Sequence, residues 1–127
     1  MAPSVPPSGT VVLDLANRPG ALHLARLAAS DLAARAGFDL DQIEDLCRGV
    51  DELCRAVLGG PHGVGRLRLS FSLNASELTI EGRGTASAAT DDGEARRRML
   101  DAVLDEYAIG DLGDPTFRAR KTRGEEP

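Results

Sequence analysis

The sequence predicts an α+β fold, a two-layer sandwich in which one mixed, mostly antiparallel sheet carries three helices on one face. Two long segments with helical apolar spacing follow one another early in the chain. Two alternating segments with turn residues between them then predict a hairpin. Because the helices are grouped and the strands pair locally, the pattern is not that of alternating strand–helix–strand units.

The N-terminal half is predicted to contain one strand and two helices. β-Branched residues in partial alternation indicate a strand over residues 10–16, and apolar residues at helical spacing indicate a helix over residues 21–36. Gly37 is expected to end this helix in the left-handed conformation. The second helix is expected to begin at Asp39 or Asp41, since either carboxylate can accept hydrogen bonds from the first turn.

The C-terminal half is predicted to contain three further strands and one helix. Polar and apolar residues alternate over residues 66–73, and a partner strand over residues 78–81 completes an antiparallel hairpin. A third helix is predicted over residues 94–107, with Tyr107 as its last inward-facing residue. A closing strand is predicted over residues 116–121.

Length and composition predict one domain with short tails. The chain has 127 residues, of which 42% are hydrophobic, so it can form one core. Residues 10–122 are expected to form the domain, with residues 1–9 and 123–127 as flexible tails. The sequence has neither a membrane-spanning apolar run nor the pattern of a signal peptide, so we expect a cytoplasmic protein that does not enter the membrane.

The charge balance argues against direct binding of nucleic acid. The formal net charge is -5 and aromatic residues make up 3% of the chain, so a basic face for duplexes and stacking platforms for bases are both lacking. Arginines nevertheless cluster at residues 96–98 and 118–123. We interpret the first cluster as the solvated side of a helix, and the second as a strand end and tail.

The two cysteines are interpreted as small buried apolar residues. Cys47 and Cys54 lie in the same predicted helix, and their spacing separates them by about 10 Å along its axis. This separation exceeds what a disulfide allows. Neither histidine of the chain forms a local catalytic motif with a cysteine, so a nucleophilic thiol is not indicated.

Three short segments relate the chain to a known family. They are Leu24-Ala25-Arg26 in the first helix, Val50-Asp51-Glu52-Leu53-Cys54 in the second, and Leu104-Asp105-Glu106-Tyr107 before the closing strand. In this order and spacing, the chain resembles the anti-sigma-factor serine kinases of bacteria, small members of the GHKL or histidine kinase-like ATPase superfamily. The resemblance covers about residues 10–122 and implies the histidine kinase-like ATPase fold.

The resemblance implies a nucleotide site from which several groups are missing. Glu52 matches the general base of the family, but the metal-binding asparagine four residues later is replaced by Ala56, whose methyl group cannot bind a hard cation. Gly82 and Gly84 match the glycines of the adenine-binding loop. In either register, the aspartate of that loop is absent.

The positions that the resemblance brings close to the phosphates also differ from the family. Where the family has a glycine pair before Met99, this chain has Glu94 and Arg96. A carboxylate there repels phosphate groups, and both side chains add bulk. We therefore expect a vestigial Glu52, no metal ligands and no bound cofactor. ATP and Mg²⁺ are expected as ligands only if the activity of the family is retained.

The resemblance also implies protein partners. In the family, the first strand and first helix form a homodimer and the platform for a sigma factor, which an arginine of that helix contacts. Arg26 matches this position, and the alternative for it is an exposed helix arginine without a binding role. Because a guanidinium makes forked bonds to carboxylates, lysine would replace it poorly. An anti-anti-sigma factor is the expected releasing partner.

Three functions follow as hypotheses. The first is a degenerate anti-sigma-factor-like regulator that binds and sequesters a sigma factor without enzymatic activity. The second is an active ATP-dependent serine kinase that phosphorylates an anti-anti-sigma partner and uses Asp51, Asp91 or Asp92 for the metal. The third is an unrelated dimeric interaction domain. The missing nucleotide-binding groups favour the first.

Overall fold

Three helices and five strands form two layers in the part of the chain that the structure describes. In this computed structural model, the described residues are 9–18, 20–58, 65–74, 76–85, 93–110 and 114–123. The elements in chain order are β1 (Gly9–Ala16), α1 (Ala21–Arg35), α2 (Leu40–Leu58), β2 (Arg66–Asn74), β3 (Glu77–Arg83), α3 (Gly93–Val103), β4 (Glu106–Ile109) and β5 (Thr116–Thr122). The predicted α+β, two-layer architecture is confirmed at this level.

The five strands form one sheet in the order β1-β2-β3-β5-β4. Each neighbouring pair of described strands is antiparallel, so the expected mixed sheet is wholly antiparallel here. Phe71 in the middle of β2 lies opposite Val11 of β1 and Ile80 of β3. In β2, every second side chain is buried, which is the pattern of a sheet with one covered face.

The core lies between the covered face of the sheet and the helices, with α2 at its centre. Helix α2 packs against both α1 and α3. Its apolar residues recur on one side, as an amphipathic helix requires. The fully buried side chains of largest volume are Phe71, Leu46, Leu53, Leu67, Leu69, Leu78, Ile80, Leu100, Val50, Val57 and Cys54. Aliphatic side chains therefore supply most of this core, as the scarcity of aromatic residues predicts.

The ends of the first two helices are set by local chemistry. Gly37 has a φ of 89° just after α1, which confirms the predicted left-handed position. Asp39 rather than Asp41 caps α2, because its Oδ1 accepts a hydrogen bond from the backbone N–H of Gln42 at 2.8 Å. The Gln42 side chain returns a bond by accepting from the N–H of Asp39 at 2.9 Å.

The third helix is shorter than the sequence predicts, and the prediction that it reaches Tyr107 is wrong. It ends at Val103, and the chain then turns into β4. The N–H of Asp105 donates to the carbonyl of Arg120 at 3.1 Å, which begins the pairing with β5. Tyr107 lies opposite Ala119 and packs against the core from a strand.

The cations at the end of β5 bind the C-terminal ends of two helices. Lys121 is 8% exposed, and its Nζ donates to the carbonyl of Val103 at 2.8 Å, at the end of α3. Arg123 donates from Nη1 to the carbonyl of Ala36, just after α1, at 3.1 Å. The basic cluster at residues 118–123 was interpreted as a strand end and tail, and part of it also binds the ends of two helices. Arg123, placed in the tail by the sequence, packs against the domain.

No helix in the described ranges is long and apolar enough to cross a membrane.

The Asp105 carboxylate joins the turn before β4 to the end of β5. Its Oδ2 accepts hydrogen bonds from the backbone N–H of Thr122 at 2.6 Å and from the Thr122 hydroxyl at 2.7 Å. Partial burial opposes ionisation of this carboxyl group. The bonds from Thr122 and the charges of Lys121 and Arg120 outweigh it, so the pKa of Asp105 lies below its ordinary value.

Replacing Asp105 is expected to make the domain less stable in a pH-dependent way. A pKa lowered by folding stabilises the native state above the unfolded value of about 3.9, and this contribution is lost as the pH falls through the folded pKa. In urea unfolding, Asp105→Asn should therefore be less stable than the wild type at neutral pH, with a difference that shrinks below about pH 4. Thr122→Val, which keeps the backbone donor, should lie between the two. An Asp105→Asn difference independent of pH would contradict this role.

Candidate functional site

Two adjacent carboxylates of α2, Asp51 and Glu52, lie at the junction of the three helices. The residues that follow them, Leu53 and Cys54, are fully buried in the core. Asp51 and Glu52 are only partly exposed. A partly buried carboxylate needs charged or hydrogen-bonding partners, and in both cases arginines supply them.

Glu52 is paired with an arginine of α3. The Nε of Arg96 donates to Oε2 of Glu52 at 2.6 Å. The two side chains are 13% and 19% exposed, so the pair is largely withdrawn from water. Arg55, one turn along α2, reaches the other oxygen of Glu52 at 4.0 Å. Arg96 is therefore the main partner of the carboxylate that matches the general base of the family, and Arg55 lies at the outer limit of an ion pair with its other oxygen.

Asp51 is paired with an arginine of α1. The Nη1 of Arg26 donates to Oδ1 of Asp51 at 2.8 Å, and Arg55 approaches Oδ2 at 3.0 Å. Arg26 keeps 39% of its side chain exposed. The structure thus joins Arg26 and Glu52 through one continuous set of ion pairs, Arg26–Asp51–Arg55–Glu52–Arg96, which we call the arginine–carboxylate network.

The position at which the resemblance implies a metal-binding asparagine belongs to the core. Ala56 is buried and lies on the same helix as Glu52, one turn further on. Its methyl group supplies no oxygen or nitrogen to a cation. Within the described residues, no group of three or more His, Cys, Asp or Glu side chains is arranged to hold a metal ion.

Gly82 and Gly84 lie where β3 and the residue after it pass closely over other parts of the fold. A Cβ on Gly82 would lie 2.2 Å from the ring of Phe117. A Cβ on Gly84 would lie 1.9 Å from the backbone carbonyl oxygen of Val57, near the end of α2. Both glycines are therefore required by packing, which accounts for the Gly-x-Gly sequence without a nucleotide.

The other positions named for phosphate or metal are exposed, already paired with arginines, or outside the described residues. Glu94 points into solvent in the first turn of α3, and Arg98 approaches it at 3.7 Å. Asp91 and Asp92, proposed as metal ligands for an active kinase, lie outside the described residues. Asp51, the third such candidate, is occupied by two arginines.

The cysteines do not add a nucleophile. Burial raises the pKa of the Cys54 thiol to about 12, and the nearby Asp51 adds to this effect while Arg55 opposes it. The neutral thiol is therefore the stable form at physiological pH. Cys47 is partly buried, and its Sγ contacts the Ser30 hydroxyl at 3.5 Å.

Apolar side chains are exposed on α1 and β1, at one side of the molecule. Leu24 and Leu27 lie three residues apart on α1 and are 49% and 51% exposed. The buried residues of the same helix include Ala25 and Ala29, so α1 is apolar on two sides. β1 is an edge strand of the sheet, and Val11, which lies on its helix-covered side, is also exposed.

The sequence matches no protein-family model and no curated protein.

The sequence indicates the ion pair within α2 of the arginine–carboxylate network, but not the ion pair that joins α2 to α3. Asp51 and Arg55 are four residues apart on a predicted helix, a spacing that favours an ion pair. The pairing of Glu52 with Arg96 joins residues that are 44 positions apart. No local pattern encodes this pairing, and the interpretation of Arg96 as part of the solvated side of a helix is wrong, because its side chain is 13% exposed and bound to Glu52.

Adding a methyl group at Gly84 is expected to destabilise the domain. The new Cβ would collide with a backbone carbonyl that cannot rotate away, so Gly84→Ala should lower the free energy of unfolding by about 1–3 kcal/mol. Gly93→Ala is the matched control, because a Cβ there has nothing within 4 Å. Urea unfolding of both variants measures the difference. Equal stabilities of the two variants would refute the close approach.

Removing the Arg96 side chain is expected to leave Glu52 partly buried without its main partner. Arg96→Ala should lower the free energy of unfolding by about 1–3 kcal/mol, the usual cost of an unsatisfied polar group. Arg98→Ala, on the same helix but in an exposed pair, should change it by less than about 0.5 kcal/mol.

A double-mutant cycle with Glu52→Gln isolates the pair itself. The double variant Glu52→Gln/Arg96→Ala should lose less stability than the sum of the two single variants. Additive losses would show that the two side chains contribute independently.

Proposed function

We propose that this chain is a regulatory binding protein with the histidine kinase-like ATPase fold, which sequesters a sigma factor and has lost phosphoryl transfer. The observation that carries the proposal is the ion pair between Glu52 and Arg96, at 2.6 Å. The pair engages Glu52, which is the one residue of this chain that matches a catalytic group of the family. The order of helices and strands is compatible with the proposed fold.

A general base must offer a free lone pair to the proton that it removes. In this chain, the Oε2 atom of Glu52 accepts a short, charge-assisted bond from Arg96, and Arg55 lies near the other oxygen. The buried Ala56 provides no metal ligand where the family has one. Phosphoryl transfer depends on a metal ion and a positioned base, so both requirements are weakened together.

The binding role is supported by the exposed leucines of α1. Leu24 and Leu27 are about half exposed on a helix whose opposite side already faces the core. Exposed apolar groups of this kind are typical of protein interaction sites. Arg26 lies on the same helix with 39% of its side chain exposed, and a guanidinium can bind a partner carboxylate in addition to Asp51.

In this proposal, the sigma factor binds to α1 and the adjoining edge strand β1. A homodimer of the chain uses the same region, and an anti-anti-sigma factor releases the sigma factor. The exposed Val11 on the edge strand supports this location, because edge strands with exposed apolar residues are ready sites for pairing with another chain. The protein is expected to act without ATP or Mg²⁺.

Binding to purified sigma factors tests the surface with a matched pair of variants. Leu27→Glu places a charge on the exposed side of α1 and should weaken sigma-factor binding by about tenfold or more, measured by titration calorimetry. Leu40→Glu introduces the same charge at an exposed leucine at the start of α2 and should leave binding unchanged. If both variants bind like the wild type, the proposed surface is wrong.

The same calorimeter tests the nucleotide site with ADP and Mg²⁺, for which no binding is expected. Micromolar nucleotide binding without any sigma-factor partner would overturn the proposed function. Transfer of labelled phosphate from ATP to a partner serine, abolished by Glu52→Gln, would establish the active kinase instead.

A further inference from the structure

The face of the sheet opposite the helices carries a shallow basic concavity. It has a volume of about 530 Å³ and is open to solvent. Three arginines from three adjacent strands line it, Arg68 of β2, Arg83 of β3 and Arg118 of β5. Within the described residues, Glu81 is the acidic side chain that lines it. We call this surface the arginine concavity.

The positive charge of the arginine concavity is incompletely neutralised. Arg118 pairs with Glu81 at 3.3 Å, and Arg68 approaches Asp14 at 3.9 Å, the outer limit of an ion pair. The side chain of Arg83 makes no ion pair or hydrogen bond with the residues that the structure describes. This excess of positive charge stands on a chain whose formal net charge is -5. The local charge of the arginine concavity is therefore opposite in sign to the net charge of the chain.

The register of the sheet places two of these arginines directly against each other. Arg68 of β2 lies opposite Arg83 of β3 in the antiparallel ladder. Like charges in directly opposite positions destabilise a sheet. Nothing in the fold requires a guanidinium at Arg83, because its side chain is exposed. An arrangement that costs stability and serves no packing role is what an anion-binding surface requires.

We propose that the arginine concavity binds an acidic polypeptide segment of a partner protein. Neighbouring strands are about 4.8 Å apart, and Arg118 lies two residues along β5 from the position opposite Arg83. The three arginines therefore span about 12 Å, the length of roughly three to four residues of extended chain. Guanidinium groups form forked bonds with carboxylates. Ala108 and Ile109 of β4 also line the concavity and offer apolar contact beside the charges.

A polypeptide suits this surface better than a small anion. Small-molecule sites enclose most of their ligand, whereas the arginine concavity lies on an open sheet face and its charged side chains remain well exposed. A single exposed ion pair contributes little. Several carboxylates on one polypeptide bind more tightly than separate ones, because the first contact raises the effective concentration of the others. Single-stranded nucleic acid is disfavoured because Phe117, the aromatic residue in the described lining, is 3% exposed and packed in the core, so it offers no ring face for stacking with bases.

The arginine concavity is separate from the exposed leucines of α1, because those leucines belong to the helical layer. The test uses the full chain and a fluorescein-labelled octapeptide of alternating glutamate and alanine, followed by fluorescence anisotropy. The wild type should bind this peptide, and binding should weaken as the ionic strength rises. The same peptide with glutamine in place of glutamate should not bind.

Arginine variants test whether the peptide binds at the arginine concavity. Arg83→Glu should weaken peptide binding by about tenfold or more, whereas Arg48→Glu, an equal charge change at an exposed position of α2, should weaken it less than about twofold. Arg83→Gln removes the opposed charges, so it should weaken binding without lowering the melting temperature. This combination separates a binding role from a structural one.

Competition distinguishes the ligands. Inorganic pyrophosphate and a decathymidylate oligonucleotide should displace the peptide less effectively than unlabelled peptide does. Stronger displacement by either would overturn the assignment to an acidic polypeptide. Equal peptide binding by wild type, Arg83→Glu and Arg48→Glu would overturn the site itself. Since Leu27→Glu should leave peptide binding intact, failure of one surface does not imply failure of the other.

Discussion

The arrangement of the helical layer depends on the pairing of two adjacent carboxylates with arginines from both flanking helices. Asp51 and Glu52 lie at the edge of the core, where an unpaired charge would be costly. Arg26 from α1 satisfies the first and Arg96 from α3 satisfies the second. These contacts fix how α1 and α3 lie along α2, and the apolar stripe of α2 then determines which face of the sheet is covered.

The sequence predicted the parts of the fold that local periodicity encodes. Helices α1 and α2 and the hairpin of β2 and β3 were found within two residues of their observed bounds. Strand β4 was missed, because it has only four residues and Tyr107 continues the apolar spacing of α3. A residue that faces the core from a strand gave the same signal as one that faces it from a helix.

The candidate site was predictable only in part for the same reason. Glu52 was indicated by its position on an amphipathic helix, but its pairing with Arg96 depends on how two helices approach each other. The arginine concavity was equally hidden, because β2, β3 and β5 each contribute one arginine, and the register of the sheet brings them to one region of the same face. Its three arginines are unremarkable in the sequence and form a surface only after the strands have paired.

The capping of α3 by Lys121 has a consequence for chemical labelling. Lys121 is the only lysine of the chain, and its ammonium group is held against the carbonyl of Val103. Acylating reagents require a free, accessible amine, which this side chain offers only when β5 separates from α3. The rate of lysine acylation, followed by mass spectrometry, would therefore report how often β5 separates from the end of α3. No other lysine side chain contributes to the signal.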